Sequence, residues 1–217
     1  MAVLTIERKV LEKNDAVAQT NRQLLKSLGI FSLNLVSSPG SGKTSLVEKT
    51  IEHCREKIQM AVIEGDVQTD LDARRVDALG IPVVQIVTHG ACHLEAALVS
   101  DSLKQLDLTG VELLIIENVG NLVCPSGYDL GEDLKVVIVS TTEGDDKPLK
   151  YPAMFRNASV LLINKIDLLP YLPASIEALE KNALSINPDL KVFRTSCISG
   201  EGIAEWCHWL QGNIKKK

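Results

Sequence analysis

The sequence lacks the features that would place it in a membrane or an oxidising compartment, or on a nucleic acid. Its first thirty residues are interrupted by Glu7, Arg8, Lys9, Glu12, Lys13 and Asp15, which excludes both the apolar core of a signal peptide and a membrane span. The formal net charge is -5, and no basic stripe offsets it, so phosphate neutralisation along a nucleic acid is excluded as a source of affinity. Lys215, Lys216 and Lys217 form the only basic run and read as a solvated tail at a helix C-terminus. The five cysteines, at 54, 92, 124, 197 and 207, are odd in number and scattered, which is not the pattern of a disulfide framework. There is no internal repeat, low-complexity tract or linker. The expectation is a soluble, cytoplasmic chain folded as one domain over residues 1–217.

What is present is a series of short apolar runs, at residues 31–36, 60–63, 83–87, 113–116, 136–139 and 160–163. They are rich in β-branched residues and barely alternate, as expected of strands covered on both faces. Helical stretches at 44–56, 71–79, 93–105, 174–185 and 203–214 lie between or after them, and 192–194 can add a last strand. The alternation predicts an α/β fold with a mainly parallel sheet flanked by helices. Before the first strand, Val10/Leu11, Val17/Ala18 and Leu24/Leu25 recur at intervals of seven and end at Gly29. This predicts an amphipathic helix within residues 1–29, capped by glycine and packed on the sheet.

Ser38-Pro39-Gly40-Ser41-Gly42-Lys43-Thr44 separates the first strand from a helix. That is the context in which glycine-rich backbone turns its amides toward a polyphosphate at a helix N-terminus. Gly40, Ser41 and Gly42 would form the cradle, Lys43 would reach the β- and γ-phosphates, Thr44 would place its hydroxyl on Mg2+, and Ser45 follows it into the site. Ser37 stands where the usual pattern has glycine, a position that tolerates it if the chain leaves the strand smoothly. The loop alone does not distinguish ATP from GTP.

Asn164-Lys165-Ile166-Asp167 follows the apolar run 160–163, at the end of a strand where open α/β sheets bind ligands. A carboxylate at Asp167 can accept from both the ring N–H and the exocyclic amine of guanine, a donor pair that adenine lacks. Asn164 would brace the loop and the aliphatic stem of Lys165 would lie over the ring. Ser196 and Cys197, after the last strand, either add contacts to the base or are plain loop residues. Together the two motifs read as a GTP site.

Glu117, at the end of the run 113–116, is the expected acid on the Mg2+ side, with Gly120 bringing an amide to the γ-phosphate. Asp66 either contacts Mg2+ and orients the attacking water or caps the helix that begins near Thr69. Lys43, Asp66 and Glu117 are thus the candidate catalytic residues. No glutamine or arginine is placed to complete the site, so hydrolysis is expected to be slow without a partner. Cys92, His93 and Cys124 emerge on the same sheet edge. Thiolate and imidazole together suit Ni2+ or Zn2+, and a symmetric dimer would supply the donors that three ligands leave missing. The alternative is that the cysteines are buried small hydrophobes and His93 begins a helix. His53-Cys54 and Cys207-His208 sit inside helices and read as structural, and His89 is a lesser candidate ligand.

With these residues assembled, the chain resembles the hydrogenase nickel-incorporation GTPases of the HypB type, within a dimerising P-loop class that also holds urease accessory GTPases. The stretches carrying the resemblance are the phosphate loop, Glu64-Gly65-Asp66, Thr88-His89-Gly90-Ala91-Cys92-His93, Glu117-Asn118-Val119-Gly120-Asn121-Leu122-Val123-Cys124-Pro125 and residues 143–152. The resemblance implies GTP/GDP and Mg2+ as ligands and a GTP-stabilised homodimer with a metal site at its interface, built from Cys92, His93 and Cys124. It also implies delivery of nickel to the [NiFe]-hydrogenase large-subunit precursor, in concert with a HypA-type zinc metallochaperone. Lys147 would approach the nucleotide from the partner subunit or stand as a solvated loop lysine. Many members carry an N-terminal cysteine motif or a histidine-rich tract. Neither occurs here, so any metal function falls to the G-domain site. The competing readings are an accessory GTPase for urease or a cobalamin enzyme, a P-loop small-molecule kinase, and a switch that binds without productive turnover. Urease-type members would carry a Cys-Pro-His motif in place of the separated Cys92-His93 and Cys124-Pro125.

Overall fold

The protein is described here by a computed structural model covering residues 6–216, with side chains from residue 10. The first five residues of the N-terminal segment and Lys217 of the basic run lie outside the described residues. Seven strands form one sheet: β1 (Phe31–Ser37), β2 (Met60–Asp66), β3 (Val83–Val87), β4 (Leu113–Glu117), β5 (Leu134–Ser140), β6 (Val160–Asn164) and β7 (Lys191–Arg194). Their order is β3-β2-β4-β1-β5-β6-β7, and every pairing is parallel. All residues of β1, β4 and β6 are buried, which is why β4 and β6 read as apolar up to their last residues, Glu117 and Asn164, while β1 also buries Ser32, Asn34 and Ser37.

The helices are α1 (Ile6–Ser27), α2 (Lys43–Cys54), α3 (Leu71–Asp77), α4 (Ala96–Leu103), α5 (Lys147–Lys150), α6 (Pro152–Asn157), α7 (Ile176–Ile186) and α8 (Ile203–Ile214). Alternate strand residues supply two opposite cores. Leu33, Leu35, Val62 and Ile115 pack with α2, α3 and α8. On the other face, Ile63, Leu114 and Ile116 pack with α1 and α4, and Val137, Leu161 and Ile163 with α6 and α7. Trp206 of α8 is locked to α2 by a hydrogen bond from its indole N–H to Thr50 Oγ1 at 3.0 Å.

Two local expectations change. The buried stripe of α1 is Asn14, Ala18, Asn21 and Leu25, whereas Val10 and Leu24 are each 42% exposed. The helix turns its i, i+3, i+4 face inward and buries two asparagines that the apolar pairs concealed. Their amides find partners in Asp129 O, Ala96 O and Leu130 O. The helix expected over 93–105 begins only at Ala96, because Glu95 is extended at φ -108°, ψ 155° and the Leu94 amide is held by Asn118 Oδ1. His93 therefore sits on a loop. The glycine cap of α1 forms as expected, with Gly29 at φ 71° and the Ile30 amide returning to Leu25 O.

Candidate nucleotide and metal site

The phosphate loop joins β1 to α2 and opens a cavity of about 480 Å³ whose wall includes Gly40, Gly42, Lys43, Thr44, Ser45 and Gly120. Gly42 has φ 95°, and a Cβ there would stand 2.5 Å from Asn164 Nδ2, so both its conformation and its surroundings require glycine. Ser37 does not need that freedom: it completes β1 outside the positive-φ region and accepts a 3.0 Å hydrogen bond from Lys43 Nζ. A Cβ on Gly120 would come within 3.0 Å of Pro39, so the loop after β4 lies directly against the phosphate loop.

Two buried carboxylates close the inner end. Glu117 accepts from Thr44 Oγ1 at 2.9 Å, and its neighbour across the β2–β4 ladder is Glu64. The two are 4% and 1% exposed, and Glu117 Oε2 and Glu64 Oε1 have no hydrogen-bond partner. Burial, then the charge of Glu117, pushes Glu64 up to about 10. Burial also raises Glu117, to about 7, against the opposing pull of Lys43 and Thr44. Such acid oxygens beside a helix-opening threonine fit a hard divalent cation such as Mg2+, which would satisfy their orphaned lone pairs. Glu64 was read from the sequence only as part of the stretch Glu64-Gly65-Asp66 and given no role, although its signal was there: it follows the apolar run 60–63 as Glu117 follows 113–116. Asp66 lines the cavity and also accepts from the Gln68 and Thr69 amides through Oδ1, so the turn role is occupied while Oδ2 stays available. Those hydrogen bonds outweigh burial and hold its carboxyl below the usual range. Asp72 and Arg75 line the same cavity and were not singled out from the sequence.

The base loop is wired to the phosphate loop. Asn164 Nδ2 donates to Ser41 O at 2.9 Å, and Lys165 Nζ donates to Gly40 O at 2.6 Å. Lys165 itself is left-handed, at φ 62°. Ser196 Oγ donates to Asp167 Oδ1 at 2.6 Å, and Cys197 Sγ donates to Asn164 Oδ1 at 3.5 Å, so both residues brace the loop carrying Asp167. Glu143 opens the stretch 143–152 but had been given no role from the sequence. It accepts from Ser41 Oγ at 2.6 Å and from the Ser140 amide at 2.9 Å, and Lys147 Nζ lies 3.8 Å from its other oxygen. Lys147 is not among the residues lining the phosphate cavity.

Cys92, His93 and Cys124 converge: their ligand atoms lie within 4.8 Å of one another. Cys92 Sγ is 3.6 Å from His93 Nδ1. Their surroundings favour soft-metal ligation. His93 Nε2 is buried without a partner, and burial lowers the imidazole's pKa, keeping it neutral. Cys92 is pushed up by its hydrogen bond to Cys124, as expected of two thiols sharing one site. Tyr128 packs against the imidazole, tilted by 42° with 3.9 Å between centroids. His89 is not a member of the cluster. Cys54 and Cys207 are buried on the facing helices α2 and α8, in keeping with a structural role. Among the described residues no helix is long and apolar enough to cross a membrane.

Residues 32–194 match the family model described as CobW/HypB/UreG, nucleotide-binding domain. The hydrogenase maturation factor HypB of Azotobacter vinelandii is 54% identical over 96% of this chain and 69% of its own. The chain belongs to the CobW/HypB/UreG family, on its HypB branch. HypB structures confirm the fold. That of Archaeoglobus fulgidus superposes with a TM-score of 0.88 at 39% identity, covering 94% of this chain and 100% of that one. The structure of HypB from Helicobacter pylori in complex with nickel gives a TM-score of 0.89 at 35% identity, over 94% and 96% of the two chains. The expected parallel P-loop architecture is thus the architecture of HypB.

Proposed function

We propose that this chain binds GTP with Mg2+, hydrolyses it to GDP and phosphate, and uses the cycle to gate a nickel ion for [NiFe]-hydrogenase maturation. The observation carrying this reading is the convergence of Cys92, His93 and Cys124 within 4.8 Å, with Cys124 on the segment that leaves Glu117. A residue answering to the γ-phosphate side and a metal ligand share one short stretch of backbone. Loss of the γ-phosphate would displace that stretch, and displacement of one thiolate weakens a soft-metal site.

Each side chain has a role in this reading. Lys43 and the loop amides hold the β- and γ-phosphates, Thr44 and Glu117 hold Mg2+, and Asp66 orients the attacking water. Asp167 selects guanine, with Ser196 fixing one of its oxygens. Lys147, tethered near Glu143, reaches the nucleotide of a second subunit in a GTP-stabilised homodimer. That dimer would also bring two Cys92, His93 and Cys124 sets together, completing the coordination of Ni2+ or Zn2+. Turnover is slow until a partner completes the site. Those partners are a HypA-type zinc metallochaperone and the hydrogenase large-subunit precursor, and the setting is the cytoplasm.

The test is to measure oligomeric state and Ni2+ and Zn2+ stoichiometry with GDP and with a non-hydrolysable GTP analogue. The expected result is a dimer that retains metal with the analogue and loses it with GDP. A monomer with unchanged metal content in both states would refute the reading.

A further inference from the structure

The loop holding His93 and the loop holding Cys124 are joined beneath the sheet by buried polar side chains. Asn118 directly follows Glu117 and is 1% exposed. Its Oδ1 accepts from the Leu94 amide, the residue after His93, and from the Val119 amide, each at 3.0 Å. Its Nδ2 donates to Asn34 Oδ1 at 3.2 Å, and Asn34 Nδ2 donates to Glu132 Oε1 at 3.1 Å. Glu132 faces Lys135 Nζ at 3.9 Å, and that ammonium donates to Pro125 O, next to Cys124, at 3.1 Å and to Tyr128 O at 2.9 Å. The Tyr128 ring closes the circuit by its tilted contact with His93.

Asn34 projects from β1 and Asn118 is the residue that directly follows β4, and both side chains are buried. A carboxamide chain there is stable only while every member keeps its partners. One asparagine thus answers on one side to the backbone of Glu117 and on the other to the backbone of His93. A shift of Glu117 when the phosphate site changes state has to be followed by the Leu94 amide, or a buried N–H is left without an acceptor.

We infer that Asn118 is a positioning residue that transmits the state of the phosphate site to His93, so that both ends of the soft-metal site, and not Cys124 alone, respond to the nucleotide. The inference rests on the GTP-gated metal site proposed above. Asn118 lies at the edge of the phosphate cavity, but its side-chain hydrogen bonds go to Leu94, Val119 and Asn34, so it acts through Leu94. A role confined to stability would lower the melting temperature without changing how metal affinity depends on nucleotide.

The experiment compares Ni2+ affinity with GDP and with a non-hydrolysable GTP analogue, in the full chain and in Asn118→Ser. The serine hydroxyl still serves the adjacent Val119 amide but is too short to reach Leu94. In the unaltered protein the two affinities should differ by a factor in the range of about 5 to 150 that is usual for coupled sites. In Asn118→Ser the ratio should fall to about one while GTP affinity is retained. Hydrogen exchange at the Leu94 amide of the unaltered protein supplies a readout independent of any variant, and its protection should differ between the two nucleotide states. If the ratio persists in Asn118→Ser, or if Leu94 protection is the same in both states, the inference is overturned and the GTP-gated site stands. If the unaltered protein shows no ratio, the GTP-gated reading falls and takes this inference with it.

Discussion

The side-chain amide of Asn164 donates to the main-chain carbonyl of Ser41 at 2.9 Å, across 123 residues of sequence. The loop expected to read the base and the loop expected to hold the phosphates are thus one rigid unit before any nucleotide arrives. Because Gly42 lies beneath that bridge, its lack of a side chain matters twice. Gly42→Ala would hold an alanine at φ 95° and drive its Cβ to 2.5 Å from Asn164 Nδ2. The expected cost is about 1–3 kcal/mol in stability, with nucleotide affinity reduced as the bridge is displaced. Thermal unfolding and nucleotide titration check both, and an alanine variant indistinguishable from the parent would show the bridge to be incidental.

In the proposed GTP site, Asp167 would select the base through the charge of its carboxylate. Replacing it with asparagine loses two charge-assisted hydrogen bonds, each worth about 1.5–3 kcal/mol. GTP affinity should fall at least about a hundredfold. Xanthine carries a carbonyl where guanine carries its amine, so the new amide should restore binding to XTP. Competition binding with GTP, XTP and ATP separates this from general damage to the loop, which would weaken all three alike.

The parallel sheet, the phosphate loop and the base loop were legible in the sequence because each is local. Apolar runs of strand length, glycines at a helix start and Asn-Lys-x-Asp after a strand are patterns within a few residues. Glu64 was not legible as a partner of Glu117, because their meeting depends on β2 pairing with β4 in one register out of several. Glu143 reaches Ser41 from 102 residues away, and Asn34, Asn118 and Glu132 are ordinary polar residues until topology stacks them. The α1 stripe misled for a different reason. Adjacent apolar pairs repeated at seven fit two helix faces about equally well, and the partners awaiting Asn14 and Asn21 decided between them.

The Glu64–Glu117 pair makes stability depend on pH with a definite sign. Both folded-state pKa values are raised, to about 10 and about 7, above the value an unfolded glutamate would have. The folded protein therefore holds more protons than the unfolded one, and nucleotide-free stability is full below the ordinary carboxylate range and declines as pH rises from there through about 7 and on toward about 10. Glu64→Gln keeps the shape without the charge. It should flatten that decline and stabilise the nucleotide-free protein at pH 8, on the order of several kcal/mol at about 1.4 kcal/mol for each pKa unit between an ordinary glutamate and pH 8. Denaturant unfolding at pH 5 and pH 8 tests the sign, and equal losses in the parent and the variant would place the pH dependence elsewhere.

Cys124 shares its site with a second thiol and an imidazole. Burial lowers His93, which favours the neutral imidazole that binds metal. Cys92 is raised by its hydrogen bond to Cys124 and must lose a proton to ligate. Ni2+ affinity should therefore climb with pH between about 6.5 and 8.5, with a logarithmic slope of about two if both thiols ligate. Cys124→Ala should reduce affinity by on the order of a hundredfold and lower that slope by about one, with GTP affinity kept. Metal competition with a chelating dye across that pH range reads both quantities at once. A slope unchanged by Cys124→Ala would mean that the thiol gives up no proton to the metal, and Cys124 would leave the ligand set.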